Sequence, residues 1–346
     1  MEKKTKLIPK GKLVSYGVNL LLLAVVYAAF FALMGAGVIN RYTAGIITMM
    51  FINIILTVSL NLVSGFLGQL VLGHAGFMSV GAYTAALFTL HSGLPITVAF
   101  PVAIVLAGVM AAAFSVIIGV PALRLRGDYL AIITLGFGEI IRVIILALDF
   151  TGGAKGLRGI PTILPSGSNA TVLTQVKFSY VFWLAAVTVM IIWAFVRSRH
   201  GRAVIAIRED EIAAEASGVH TTYYKLLAFI MAAFFAGVAG ALYAHHIGVL
   251  DPGNFDFNYS VEILLMAVLG GLGSITGSII AAVVLTILPE ALRDFADYRM
   301  LIYALILIVV MLFKPSGLMG QREFSLSRLV KRLTAGKGKA KPGKGA

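Results

Sequence analysis

Apolar runs long enough to cross a bilayer follow one another along almost the whole chain, and this succession limits the fold more than any other feature. A helix needs about 20 predominantly apolar residues to span the hydrocarbon core. Runs of this kind cover 13–38, 43–64, 69–90, 95–121, 128–148, 178–197, 221–247, 259–271, 274–290 and 300–314. Their length selects helices over the shorter strands of a barrel. The pattern predicts an all-α polytopic membrane protein of about ten transmembrane helices. The eighth run is short, so it reads as a tilted span or a half-helix turning at Gly270-Gly271-Leu272-Gly273-Ser274. The first run is too long for a signal-peptide core and reads as a retained helix. Charged residues make up 12% of the chain, about half of what a soluble domain carries.

Orientation follows from the basic residues, which give the 346-residue chain a formal charge of +13. Lys3, Lys4, Lys6, Lys10 and Lys12 precede the first run; Arg322, Arg328, Lys331, Arg332, Lys337, Lys339, Lys341 and Lys344 follow the last. On a soluble protein this balance suggests nucleic acid. Here the basic runs flank apolar spans, so they read as cytoplasmic and phospholipid-facing, with no nucleic-acid partner. Ten crossings from a cytoplasmic N-terminus place both termini, Arg124, Arg126, Arg197, Arg199, Arg202, Arg208, Lys225 and Lys314 inside. Arg41, Lys155, Arg158, Lys177, Arg293 and Arg299 then fall outside, and nine crossings would export the lysine-rich tail. The resulting layout is a basic N-terminus at 1–12, a transmembrane domain at 13–320 and a low-complexity basic tail at 321–346, expected to be disordered. Within the domain lie an outside loop at 149–177 and an inside loop at 197–220.

Enzyme chemistry finds no foothold. Cysteine is absent, as are H-E-x-x-H and G-x-S-x-G. Gly338-Lys339-Ala340-Lys341-Pro342-Gly343-Lys344 begins like a P-loop but continues with Gly345 in place of Ser or Thr. His245 and His246 are adjacent, about 100° apart on a helix, and do not form an i, i+4 metal pair. No catalytic residue, metal ligand or cofactor site is therefore assigned to this chain. The second and third runs carry Asn53, Ser59, Asn61, Gln69, His74, Ser79 and Tyr83. At membrane depth such side chains face protein or water. They are candidates to line a translocation path, with interhelical hydrogen bonding as the plainer alternative. Glu139 and Arg142 lie three apart and can pair on one helical face. In the outside loop Gly152, Gly153 and Gly156 provide tight turns beside Lys155 and Arg158, a candidate contact surface for a soluble partner.

The inside loop is the most informative segment. From Asp210 to Ser217 it is strongly helix-forming, and Gly218 is a natural residue to end that helix. Ile212, Ala216 and Val219 recur at helical spacing as a small apolar face, with Arg208, Glu211 and Glu215 along another side. Such a helix suits docking in a groove of a soluble partner. Its acidic residues, Glu209, Asp210, Glu211 and Glu215, disfavour an anionic membrane surface.

This segment, with Ala213-Ala214-Glu215-Ala216-Ser217-Gly218, resembles the Ala/Glu-rich coupling loop of ABC importer permeases, with Ile212 interrupting the usual run. Several further stretches resemble, in order, branched-chain amino acid permeases of the LivM type: Gly65 to Tyr83, Gly127 to Phe137, Thr151-Gly152-Gly153 with Gly156-Leu157, and Gly270 to Gly277. The resemblance implies a permease subunit of the bacterial inner membrane that pairs with a second, LivH-like permease. Two cytoplasmic ATPase subunits, which would bind ATP and Mg, and a periplasmic substrate-binding protein would complete the importer. It also implies that the ATPases dock on 201–219, at Arg208, Glu209, Asp210, Glu211, Ala213, Ala214, Glu215 and Gly218. Leu, Ile and Val are the implied cargo. Urea, short amides or other amino acids in the same architecture are alternatives, and a self-sufficient ion-coupled transporter or a non-transporting scaffold are rival classes.

Overall fold

A computed structural model describes residues 10–123, 125, 127–163, 169–295, 298–314, 316–320 and 323. The basic stretch 1–9, Arg124, Arg126 and, Glu323 apart, the tail 321–346 with its P-loop-like run lie outside the described residues. The helices are α1 (Lys10–Gly35), α2 (Arg41–Asn61, continued by a π-helical turn Leu62–Phe66), α3 (His74–His91), α4 (Ile96–Ala122), α5 (Asp128–Ala147) and α6 (Ala170–Arg197). They continue with α7 (Arg199–Glu209), α8 (Glu211–Ala216), α9 (Thr221–Ile247), α10 (Phe257–Gly270), α11 (Ile275–Ala291) and α12 (Arg299–Phe313). Among the described residues the extended pairing is confined to one bridge, Leu157 with Leu250.

Each predicted apolar run corresponds to one helix. Among the described residues, α2 with its π turn, α4, α5, α6 and α9 are the 5 long and apolar enough to cross a membrane. Three boundaries differ from the sequence expectation. First, α3 starts at His74 instead of 69, because the chain leaves helical geometry after Phe66 and turns through Gly68 at φ +76°. Second, α6 starts at Ala170, eight residues before the apolar run at 178, so the outside loop is shorter than 149–177. Its polar first turns pair with α1, where Gln175 donates to the Phe31 carbonyl (3.3 Å). Third, the inside loop holds two helices where one was expected. The short eighth run is α10, whose 14 residues reach about 21 Å before the chain turns at Gly271 (φ +109°) and Gly273 (φ +89°).

Burial separates centre from perimeter. The most apolar stretches of α2 and α9 are 78% and 67% buried, against 33% and 28% for α5 and α6. The inner helices α3, α4 and α9 share the most extensive contacts. Lipid gives no hydrophobic drive for helices to associate, so close van der Waals approach through small residues must hold them. The seam between α3 and α9 follows this rule. A Cβ on Gly81 would overlap the Gly237 backbone, and one on Gly240 would overlap the Met78 carbonyl. His245 ties the same seam, with Nδ1 donating to the Ala241 carbonyl (2.9 Å) and Nε2 meeting Thr89 Oγ1 (3.1 Å). Outer faces carry exposed Val105, Ile117, Ile132, Val143, Met190 and Leu312, a surface suited to lipid or another apolar protein face.

Successive helices alternate between two ends of the bundle. At one end, Asn61 meets Ser274, Arg208 meets Gly65 and Glu323 meets Ile275. At the other, Tyr42 meets Glu290, Gln175 meets Phe31 and Leu157 meets Leu250. The seam generates a first prediction. Gly81→Val should abolish the monodisperse peak in size-exclusion chromatography, because backbone cannot retreat from the added atoms. Gly136→Ala, whose methyl meets nothing within 4 Å, should keep that peak and leave Tm unchanged or raised, by up to about 1 kcal/mol of helix propensity.

Candidate coupling and translocation site

Capping residues build the α7–α8 unit. Ser198 ends α6 and caps α7, its Oγ accepting from the Gly201 amide (3.2 Å). Asp210 is extended (φ −158°) and caps α8, its Oδ1 accepting from the Ala213 amide (3.0 Å). Asp210 thus divides the segment, and Arg208 stands on a different helix from Glu211 and Glu215 instead of lining one side with them. Gly218 ends α8 as the sequence predicts, at φ +83°. There the Val219 amide reaches the Ala214 carbonyl (3.1 Å) and the Gly218 amide the Glu215 carbonyl (2.9 Å), a Schellman closure.

The eight proposed docking residues fall into two groups. Glu209, Asp210, Ala213, Glu215 and Gly218 are exposed, and Ile212 of the apolar face is 69% exposed. A depression of about 310 Å³ opens beside them, lined by Glu215, Gly218, Val219, His220, Thr221 and Thr222. The other three are used within the chain. Ala214 is buried, and Glu211 pairs at 2.8 Å with Lys225, which is only 3% exposed. Burying an ammonium is costly unless it is paired, so Glu211 holds α8 onto α9.

Arg208 points into the bundle. Its Nη1 donates to the Gly65 carbonyl (2.8 Å), at the π turn that ends α2. Its stem lies over Gly68, where a Cβ would sit 2.8 Å from the arginine Cγ, and Nη1 lies 2.9 Å from where a Cβ of Gly273 would be. The guanidinium therefore joins α7 to both places where the membrane helices break. Asn61 joins those two breaks to each other. Its Nδ2 donates to the Ser274 carbonyl (3.0 Å) and Ser278 Oγ (2.7 Å), and its Oδ1 accepts from the Gly273 amide (2.9 Å). The same economy covers the rest. Thr134 Oγ1 accepts from the Leu72 amide (3.1 Å), and Ser260 Oγ from the Ala75 amide (3.2 Å). The Glu323 carboxylate accepts from the Ile275 amide (2.7 Å) and the Thr276 hydroxyl (3.0 Å).

Most of the polar residues of the second and third apolar runs are paired within the protein. Ser59 Oγ meets His74 Nε2 (3.0 Å), Ser79 donates to the Gly76 carbonyl (2.7 Å) and Tyr83 to the Leu250 carbonyl (3.4 Å), all buried. Asn61, Ser59 with His74, and Tyr83 join separate elements, whereas the Ser79 bond stays within α3. Asn53 and Gln69 differ: Asn53 Oδ1 and Gln69 Oε1 are buried without a hydrogen-bond partner among the described residues. Glu139 and Arg142 pair as expected, at 2.7 Å, so α5 presents no free acid there. At the opposite end, Lys155 and Arg158 are exposed, while Gly152, Gly153 and Gly156 shape the turn at positive φ. Gly156 is buried against Leu250, where a Cβ would lie 2.5 Å from the carbonyl oxygen.

A family model described as branched-chain amino acid transport system / permease component matches residues 42–312, from the start of α2 nearly to the end of α12. The chain belongs to this family. The high-affinity branched-chain amino acid transport system permease protein LivM of Salmonella typhimurium strain LT2 is 38% identical over 304 residues, covering 81% of this chain and 71% of that protein. LivM of Escherichia coli strain K12 is 39% identical over the same span. LivH of Escherichia coli strain K12 is 35% identical over 148 residues, 41% of this chain and 47% of that one. A solved structure, PsaBC from Streptococcus pneumoniae in complex with Fab, matches 79% of this chain with a TM-score of 0.44 at 16% identity.

Two features of the permease escape sequence reasoning. One is the inward role of Arg208, hidden because a basic residue beside a membrane span reads as a topology marker. The other is a cavity at the far end lined by Arg41, Tyr42, His246 and Glu290, which no spacing in the chain brings together. The Asn61 bridge yields a second prediction. Asn61→Ala leaves the Gly273 amide without its acceptor, at about 1–3 kcal/mol, removes two more bonds to the start of α11, and should lower Tm in detergent. Asn61→Asp keeps the acceptor for Gly273 but loses both donated bonds, so it should not rescue.

Proposed function

We propose that the permease is one of two membrane subunits of an ATP-driven importer of the bacterial inner membrane that translocates Leu, Ile and Val. A LivH-like subunit is its partner in the membrane, two ATPase subunits bind ATP and Mg in the cytoplasm, and a periplasmic binding protein delivers cargo. In this reading the chain crosses about ten times with both termini inside, and the end carrying α7–α8 faces the cytoplasm. The names of the relatives support the cargo, and the alternation of helices between two ends supports the topology.

One observation carries the mechanism: α7–α8 offers an exposed face while Arg208, on the same unit, grips the two helix breaks. An ATPase pulling or releasing α8 through Glu209, Ile212 and Glu215 would move α7 with it, since Asp210 alone separates the two helices. Arg208 would pass that displacement, through Gly65, to the Leu67–Gly73 and Gly271–Ser274 segments. These have left helical geometry and can shift without breaking a helix ladder. The path opens and closes there. Lys155 and Arg158 remain the contact proposed for the binding protein.

Two variants of the reconstituted importer test this. Glu215→Lys should abolish ATP-driven leucine uptake while the chain still inserts; normal uptake would remove the docking role of α8. Arg208→Ala should keep ATPase subunits bound and hydrolysing ATP, but lower leucine transported per ATP by about tenfold or more, a loss of at least about 1.4 kcal/mol of coupling. Unchanged stoichiometry would mean that Arg208 only braces the fold.

A further inference from the structure

At the end of the bundle opposite α7–α8, the first turns of α2 and the last turns of α9 and α11 line an open cavity of about 470 Å³. This volume is within the usual range for a small-molecule pocket. Its chemistry is divided. Ile46, Met49 and Pro289 form an apolar wall, while Arg41 and Glu290 bring opposite charges to the rim. The carboxylate is held in place: the Tyr42 hydroxyl donates to Oε1 (2.6 Å), and Arg293 Nη1 lies 3.6 Å from the same oxygen. The Arg293 guanidinium in turn lies over the Tyr42 ring, 4.9 Å from its centroid. Both partners of Glu290 meet Oε1, so its other oxygen can be offered elsewhere.

Deeper in, two polar atoms lack partners. His246 lines the cavity with Nδ1 buried and without a hydrogen bond among the described residues. Thr286, on the same wall, receives a hydrogen bond from Asn53 Nδ2 (2.9 Å). Asn53, one helical turn beyond Met49 and only 6% exposed, keeps Oδ1 buried and unpaired. Buried polar atoms in a finished core are nearly always paired, and exceptions call for a ligand or water. An uncharged solute such as urea has no use for two opposite charges set beside an apolar wall. A zwitterion with an aliphatic side chain matches all three.

We propose that this cavity is a binding site for a zwitterionic aliphatic α-amino acid on the outward side of the permease. The α-carboxylate meets Arg41, the α-ammonium meets Glu290, and the side chain lies along Ile46, Met49 and Pro289. That the occupant is cargo rests on the transport reading above; that the cavity takes a zwitterion does not.

The absence of cysteine from the chain makes the test direct. Met49→Cys, or Ile46→Cys if the first variant does not assemble, places a single thiol of this chain in the cavity of the reconstituted importer, built with cysteine-free partner subunits. Its modification rate by a small methanethiosulfonate reagent is then measured with and without amino acids. L-leucine should protect the thiol saturably, slowing modification about tenfold or more. Leucinamide, without the carboxylate, and isocaproate, without the ammonium, should not protect. Adding Glu290→Gln or Arg41→Gln should weaken protection by L-leucine about tenfold. Protection by other amino acids but not by leucine would keep the site and overturn the branched-chain assignment. No protection by any amino acid, with leucine uptake intact, would overturn the site and leave the transport reading standing. Equal protection by isocaproate would reduce the cavity to an apolar slot and overturn the zwitterion.

Discussion

Backbone that leaves a helix within a membrane bundle must find its hydrogen-bond partners in protein, because lipid supplies none. Two segments of this permease do leave, between Phe66 and His74 and between Gly270 and Ile275. The surrounding structure is arranged to pair what they expose. Asn61 bonds the second break from the end of the helix before the first, and Thr134 and Ser260 receive amides at the start of α3. Arg208 supplies the donor for Gly65, and Glu323 the acceptor for the first turn of α11. A hydrogen-bonded charge is about twice as strong as a neutral bond, which suits the two outermost positions.

This pairing connects the α7–α8 end with the interior of the bundle. A helix pair that merely rested on the bundle could move without consequence inside it. Here α7 contributes a side chain that completes the interior, so displacing α7 leaves a carbonyl unsatisfied and favours a rearrangement of the break. The Glu211–Lys225 pair ties α8 to the root of α9, and α9 forms the glycine seam with α3. One attachment thus reaches the end of α2 and the other α9, both well-buried helices, while α5 and α6 remain on the perimeter with apolar faces outward.

Much of the candidate site was legible in the chain, and the reason differs between its parts. Gly218 was readable because an αL residue after a helix is a local requirement. The pairing of Glu139 with Arg142 was readable because three residues along a helix determine neighbourhood. The apolar face expected of Ile212, Ala216 and Val219 was not, because α8 ends at Ala216, and Val219, beyond Gly218, packs against the core. The polar residues of α2 and α3 were visible as a group, but not their roles. Asn61 and Asn53 have the same chemistry and differ by two turns; one is saturated by a glycine-rich turn more than two hundred residues away, the other keeps an unpaired oxygen. Arg208 was seen as a surface charge for the same reason.

Hydropathy and length by themselves determined the helical architecture, since no other arrangement satisfies so many long apolar runs in lipid. Local chemistry determined the caps, the break after Gly270 and the end of α8, because each depends on residues within one turn. Tertiary structure alone decided which polar groups are bracing and which are free. It also brought Arg41, His246 and Glu290 around one cavity and turned Arg208 inward toward the breaks. Those outcomes depend on which helices meet and at what depth. Packing of small residues across distant segments sets that, and no periodicity within a single segment records it.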